Sequence, residues 1–132
     1  MDKLTALSVL DGRYAPMTGT LTDIFSEYGL MKHREYVELQ WLKFLGRELM
    51  LFELSDADTK KIDTIAENFN PAAGQRVKEI EATTNHDVKA VEYYIKEQLD
   101  ALKLRRIKEW THFACTSEDI NNTAYALMIE KG

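Results

Sequence analysis

The octet Thr83 to Ala90, TTNHDVKA, crowds two threonines, an asparagine, a histidine and an aspartate onto the start of one amphipathic helix. A helix N-terminus leaves backbone N–H groups unpaired and carries the positive end of the helix dipole, so it can hold a carboxylate or a phosphate. Thr84 with Asp87 is expected to cap this helix, and Asn85 and His86 exceed what a cap needs. His86 is suited to act as an acid, a base or an anion-binding imidazolium. The plainer alternative is a structural cap, worth about 1 kcal/mol, with an exposed first-turn histidine.

A second mouth of the same kind is expected at Thr116-Ser117-Glu118-Asp119, where a threonine precedes an acid by three residues as in a capping box. Arg13-Tyr14 follows an Asp11-Gly12 turn. Arginine offers a planar fork to phosphate and tyrosine a directed hydroxyl, with an ordinary surface loop as the alternative. His33 lies in the charged run Lys32-His33-Arg34 and is expected on a solvated helix face. His112 sits beside apolar residues and is expected to be buried and hydrogen-bonded. Cys115 follows an apolar stretch and is expected to pack rather than to act as a nucleophile. Glu109 and His112 have the Glu-x-x-His spacing of di-iron bundles, but no second such pair exists, so no metal is expected. No zinc spacing, phosphate loop or dinucleotide glycine pattern occurs.

The elements that must position these groups are helical. Val88, Val91, Ile95, Leu99 and Leu102 recur at steps of three and four, which is one helical face. Residues 1–20 read as an irregular arm. From about Leu21 to Glu53 a short helix and then a long one are expected, with Gly29 at the joint and Val37, Trp41, Phe44, Leu45 and Leu49 as the apolar stripe. Ser55 to Asp58 reads as a capping box, followed by inward-facing Ile62, Ile65, Ala66 and Phe69. Asn70-Pro71 starts a short helix carrying Val77 and Ile80, with Pro71 at a first helical position. Leu104, Ile107, Trp110 and Phe113 mark another short helix. Ile120, Ala124, Leu127 and Met128 mark the last one, which runs to the end of the chain.

The 132 residues suit one main folded unit, and 45% hydrophobic with 30% charged residues is ordinary for a globular protein. The net charge of −5 argues against nucleic acid as a partner, because that affinity comes from neutralising phosphates with Lys and Arg. It leaves room for a small anionic ligand. A single cysteine permits no intrachain disulfide and fits a reducing cytoplasm. No stretch approaches the about 20 apolar residues of a membrane span, and no signal peptide is expected.

Four segments, SVLDGRY, FSEYGLMKHREYVELQWL, IEATTNHDVKAVEYYIKEQL and HFACTSEDINNTAYALM, together resemble the N-terminal part of the bacterial adenylosuccinate lyase family, within the fumarase/aspartase superfamily. The resemblance runs in order over nearly the whole chain. It implies an all-α fold: an N-terminal helical domain at 1–110, then the first turns of a central helical bundle at 111–132, where the fold would be truncated. It implies a homotetramer that releases fumarate by β-elimination from a small nucleotide substrate in purine biosynthesis, with no cofactor and no metal. It implies that Arg13 and Tyr14 bind the nucleotide, chiefly its phosphate. Asn85, His86 and Asp87 would form the second binding segment, and Thr116 and Ser117 would bind the succinyl side. The serine base and histidine acid of that family lie in segments beyond Gly132. The chain is therefore expected to be a fragment with a binding portion and no catalytic residue of its own, save an assisting role for His86. Its last helix, cut from its bundle, would leave Ile120, Ala124, Leu127 and Met128 with few partners. The alternatives are a helical interaction module without enzymatic ancestry, or another fumarate-releasing lyase such as argininosuccinate lyase. DGRY and TTNHDVKAVEYY speak against the latter.

Overall fold

The computed structural model describes residues 2–132. Its described residues are helical, with no strand, as expected. After a turn-rich arm come α1 (Ala15–Thr18), a 3-10 turn at Gly19–Leu21, α2 (Thr22–Phe25), α3 (Glu27–Arg47), α4 (Asp56–Glu67), α5 (Pro71–Thr84) and α6 (Asp87–Ala101). A 3-10 segment at Arg105–Trp110 and α7 (Ser117–Lys131) complete the order. The arm is thus less irregular than expected, because Pro16 pre-sets the backbone for a helical turn at Ala15–Thr18.

The 21 residues of α3 form the axis, and α4, α5, α6 and α7 all pack against it. The joint before α3 is Ser26, not Gly29. Ser26 has extended backbone, and its hydroxyl accepts the Gly29 N–H at 3.1 Å. Gly29 serves another purpose: a Cβ there would stand 2.3 Å from the Ile24 carbonyl oxygen, so only glycine lets α2 fold back on α3. At α4, Ser55 and Asp58 make both reciprocal bonds of a capping box, as expected. Asn70 caps α5 ahead of Pro71 by accepting the Ala73 N–H at 2.9 Å.

The core gathers Met31, Leu39 and Leu42 of α3, Ile62 and Ile65 of α4, Phe69, Val77 of α5, and Val91, Ile95 and Leu99 of α6, closed by Leu104 and Ile107. The expected α3 stripe is rotated. Phe44 and Leu49 are exposed, and Val37 and Trp41 are half-buried. Trp41 instead lies on Phe44 with its indole N–H donating to the Phe113 carbonyl at 2.7 Å. The inward face carries Leu39, Leu42 and Leu45, together with His33, Arg34, Glu35 and Glu38. The Lys32-His33-Arg34 run is therefore no solvated face: His33 is buried and donates from Nδ1 to the Gly29 carbonyl at 2.7 Å. A charge pattern on a central helix misleads because α3 is covered on several sides at once.

α7 packs along α3, and Ile120, Ala124 and Met128 are buried there, outside the main core cluster. The expectation that Ile120, Ala124, Leu127 and Met128 have few partners is corrected for the three buried residues, and Leu127 is half-buried. Burying a large apolar side chain is worth roughly 1.5–3 kcal/mol, so α3 alone supplies a sufficient reason for this helix to dock. No helix is long and apolar enough to cross a membrane among the described residues.

Glu35 is fully buried, and among the described residues neither of its carboxyl oxygens has a hydrogen-bond partner. Burial raises its pKa from 4.5 to about 8, against a smaller pull from Lys32. Between those values the folded chain holds a proton that the unfolded chain has lost. Stability therefore falls as pH rises through that window, by about 1.4 kcal/mol for each pH unit. Urea unfolding at pH 5.5 and pH 8 should show the wild-type chain weaker at pH 8. Glu35→Gln should narrow that difference, with Glu38, whose pKa burial also raises, supplying part of the remainder, and parallel behaviour of the two proteins would contradict the assignment.

Candidate functional site

The TTNHD octet is a junction between two helices, not the start of one. α5 runs through Thr84, so Thr84 does not cap α6. Asn85 ends α5 in the left-handed region, with φ 52° and ψ 31°. That conformation is costly for most side chains and well tolerated by Asn. His86 has extended backbone and is the N-cap of α6, its Nδ1 accepting the Lys89 N–H at 3.1 Å. The two residues that a simple cap was not expected to need are those that make the junction. Asp87 is the first helical residue, and its Oδ1 accepts the Val88 N–H at 2.8 Å.

The cap decides what His86 offers. With Nδ1 accepting, the neutral ring carries its proton on Nε2. The side chain is about half exposed, so an N–H donor faces outward at the positive end of α6. That arrangement suits donating a hydrogen bond to an anion better than proton transfer in either direction, since acting as an acid or as a base needs a proton at Nδ1, which would break the cap.

Asp87 would by itself place a negative charge at this mouth. Its Oδ2 instead pairs with Arg34 Nη2 at 2.8 Å. Burial pushes the Asp87 carboxyl up, but the Val88 N–H and then the Arg34 guanidinium outweigh it and hold the group below its ordinary value. Arg34 also donates from Nε to Asn121 Oδ1 on α7 at 2.8 Å. Its side chain is only 6% exposed. Sequence reasoning missed this residue by assigning it to a solvated run. The available signal was that an arginine stood four residues before Glu38 and five before Leu39, on the side of α3 that the apolar spacing turns inward.

The second mouth lies at the start of α7. The Thr116 N–H and hydroxyl both donate to Asp119 Oδ2, at 2.8 and 3.2 Å. Among the described residues Ser117 Oγ has no intrachain hydrogen bond, and it remains available to a ligand. Just before this mouth, His112 Nδ1 contacts Glu38 Oε1 at 2.5 Å, and Glu38 is fully buried. His112 is thus hydrogen-bonded as expected but only partly covered. Burial raises the Glu38 pKa against the opposing pull of His112. Cys115 is partly buried, and burial, then the charges of Glu38 and Asp119, push its pKa to about 11. A thiol that keeps its proton at neutral pH is a poor nucleophile, consistent with packing. No cluster of three or more His, Cys, Asp or Glu is placed to hold a metal among the described residues.

The structure thus joins the α6 and α7 mouths through α3. It does not join Arg13 and Tyr14 to them: both are exposed on the arm, with the Arg13 guanidinium 5.3 Å from the Tyr14 ring centre. No hydrogen bond or ion pair links either to the mouths among the described residues.

The lyase family model matches residues 12–132, a span that holds the mouths, Arg34 and the arm pair. The chain belongs to the lyase family. It is 50% identical over 135 residues to the adenylosuccinate lyase of Vibrio cholerae, covering 99% of this chain and 30% of that protein. It is 50% identical over 133 residues to the adenylosuccinate lyase of Haemophilus influenzae, covering 98% and 29%. The adenylosuccinate lyase of Escherichia coli K12 is 46% identical over 134 residues, again 98% and 29%. The chain spans about three tenths of the length of these curated relatives. The family match bears out the expected ancestry and sets aside a helical module with no enzymatic origin.

The junction geometry has a direct test. Asn85→Ala should cost about 1–2 kcal/mol, because alanine resists the left-handed conformation. Asn85→Gly should be neutral or stabilising. Urea midpoints of the three proteins check this, and an Asn85→Ala midpoint equal to the wild type would mean that the junction is not held as described.

Proposed function

We propose that this chain is the N-terminal, substrate-binding portion of an adenylosuccinate lyase. The observation that carries this reading is 50% identity, over nearly all of the chain, to enzymes of that name. The reaction is a β-elimination. A base takes the proton from the succinyl carbon beside a carboxylate, the carbon–nitrogen bond breaks, fumarate leaves, and an acid protonates the departing nitrogen. The products are AMP from adenylosuccinate, and the aminoimidazole carboxamide ribotide from its succinyl-carboxamide counterpart. The negative charge that builds beside the carboxylate calls for preorganised donors.

The geometry supports distinct roles. Nε2–H of His86 is the outward donor at the α6 mouth, with Asn85 setting the turn before it and Asp87 neutralised by Arg34. Ser117 presents a hydroxyl at the α7 mouth for the succinyl side, beside Thr116, whose own hydroxyl donates to Asp119. Arg13 and Tyr14, on the arm, would close on the nucleotide phosphate. The proton-transferring serine and histidine would come from outside these 132 residues. Residues 111–132 would be the first turns of a central bundle that assembles as a homotetramer.

Two outcomes follow. Purified chain should not turn over adenylosuccinate, because both proton-transfer groups are missing and together they supply orders of magnitude in rate. Following the succinyl-adenine absorbance tests this, and steady loss proportional to chain concentration would refute it. His86→Ser should retain a helix cap yet lose the ring donor. Adenylosuccinate binding, followed by titration of the labelled chain, should weaken about tenfold, the range of one charge-assisted hydrogen bond, with the melting temperature nearly unchanged. Unaltered binding would remove His86 from the site.

A further inference from the structure

We propose that Arg34 is a positioning residue that sets the spacing and relative angle of the two helix mouths. The inference rests on the reading that the α6 and α7 mouths hold one substrate between them. Arg34 donates from two different nitrogens to acceptors on two different helices: Nε to Asn121 Oδ1 and Nη2 to Asp87 Oδ2, both at 2.8 Å. A guanidinium is planar and rigid, so these two bonds fix both acceptors relative to one plane. Asp87 is the first residue of α6, and Asn121 is one turn beyond Ser117 of α7. Among the described residues no hydrogen bond or ion pair runs directly between α6 and α7, which leaves Arg34 as their polar link.

The same contact has an electrostatic consequence. The Asp87 carboxylate is about half exposed and stands at a mouth suited to anions. Arg34 supplies the compensating charge from below, where it does not occupy the ligand's place. Lysine would keep the charge but, as a point charge on a flexible stem, could not hold both acceptors in one plane. Arg34→Lys therefore separates geometry from charge. Asn121→Ala cuts only the arm to α7 and leaves the Asp87 pair in place.

The experiment titrates the isotope-labelled chain with adenylosuccinate. It follows the backbone amides of Val88 and Lys89 at one mouth and of Glu118 and Asp119 at the other. In the wild type both sets should move on one isotherm. In Arg34→Lys and in Asn121→Ala the two sets should separate onto different isotherms, with affinity at least tenfold weaker. A merely structural role would lower the melting temperature and leave the isotherms coincident. One shared isotherm with affinity within twofold of wild type, in both variants, overturns the proposal. If Arg34→Lys does not fold, Asn121→Ala decides, since its side chain is only half-buried. If the wild type itself shows no response, or two unrelated isotherms, the shared-substrate reading fails and the positioning role falls with it. Failure confined to the variants leaves that reading standing.

Discussion

A guanidinium taken out of water has to be met by a carboxylate and by further acceptors, or its burial is prohibitive. Arg34 is buried in α3 and meets that demand with Asp87 from α6 and Asn121 from α7. Neither acceptor can move far without stranding a charge. Arg34 thus adds a polar tie between the starts of α6 and α7 to the apolar packing that docks each helix on α3.

α3 concentrates this kind of constraint. Four successive inward positions carry His33, Arg34, Glu35 and Glu38, where a helix at the centre of a small domain would ordinarily present only apolar groups. The four are resolved differently. His33 bonds back to its own helix, Arg34 bridges two neighbours, Glu38 holds His112, and Glu35 is left without a partner and retains its proton. Buried polar groups of this number lower stability relative to an apolar stripe. Two of them, Arg34 and Glu38, lead to the approaches of the α6 and α7 mouths, which is where a binding function would repay that cost.

The α5–α6 junction shows structural and chemical demands met by the same atoms. Asn85 takes the left-handed turn, His86 caps α6 through Nδ1, and the cap leaves Nε2–H facing out. Capping need and ligand-binding capacity are therefore not competing explanations of the TTNHD segment. The cap selects the tautomer that a ligand would meet.

Sequence by itself determined much of the frame. Apolar spacing placed the inward faces of α4 and α6. The Ser55 box and Asn70-Pro71 marked two helix starts, because these depend on contacts within four residues. Motif composition pointed to the two mouths and the arm, and the family match agrees with that ancestry. Only tertiary structure decided which face of α3 is covered, since that depends on helices up to 87 residues away in sequence, as the Arg34 bond to Asn121 shows. It also decided that α5 runs on through Thr84 before Asn85 ends it in the left-handed region, with α5 and α6 packed against one another. The roles of Arg34 and Glu38 were illegible for one physical reason. A charged residue reads as solvated until its partners arrive, and here the partners come from α6 and from the turn and first helical turns of α7.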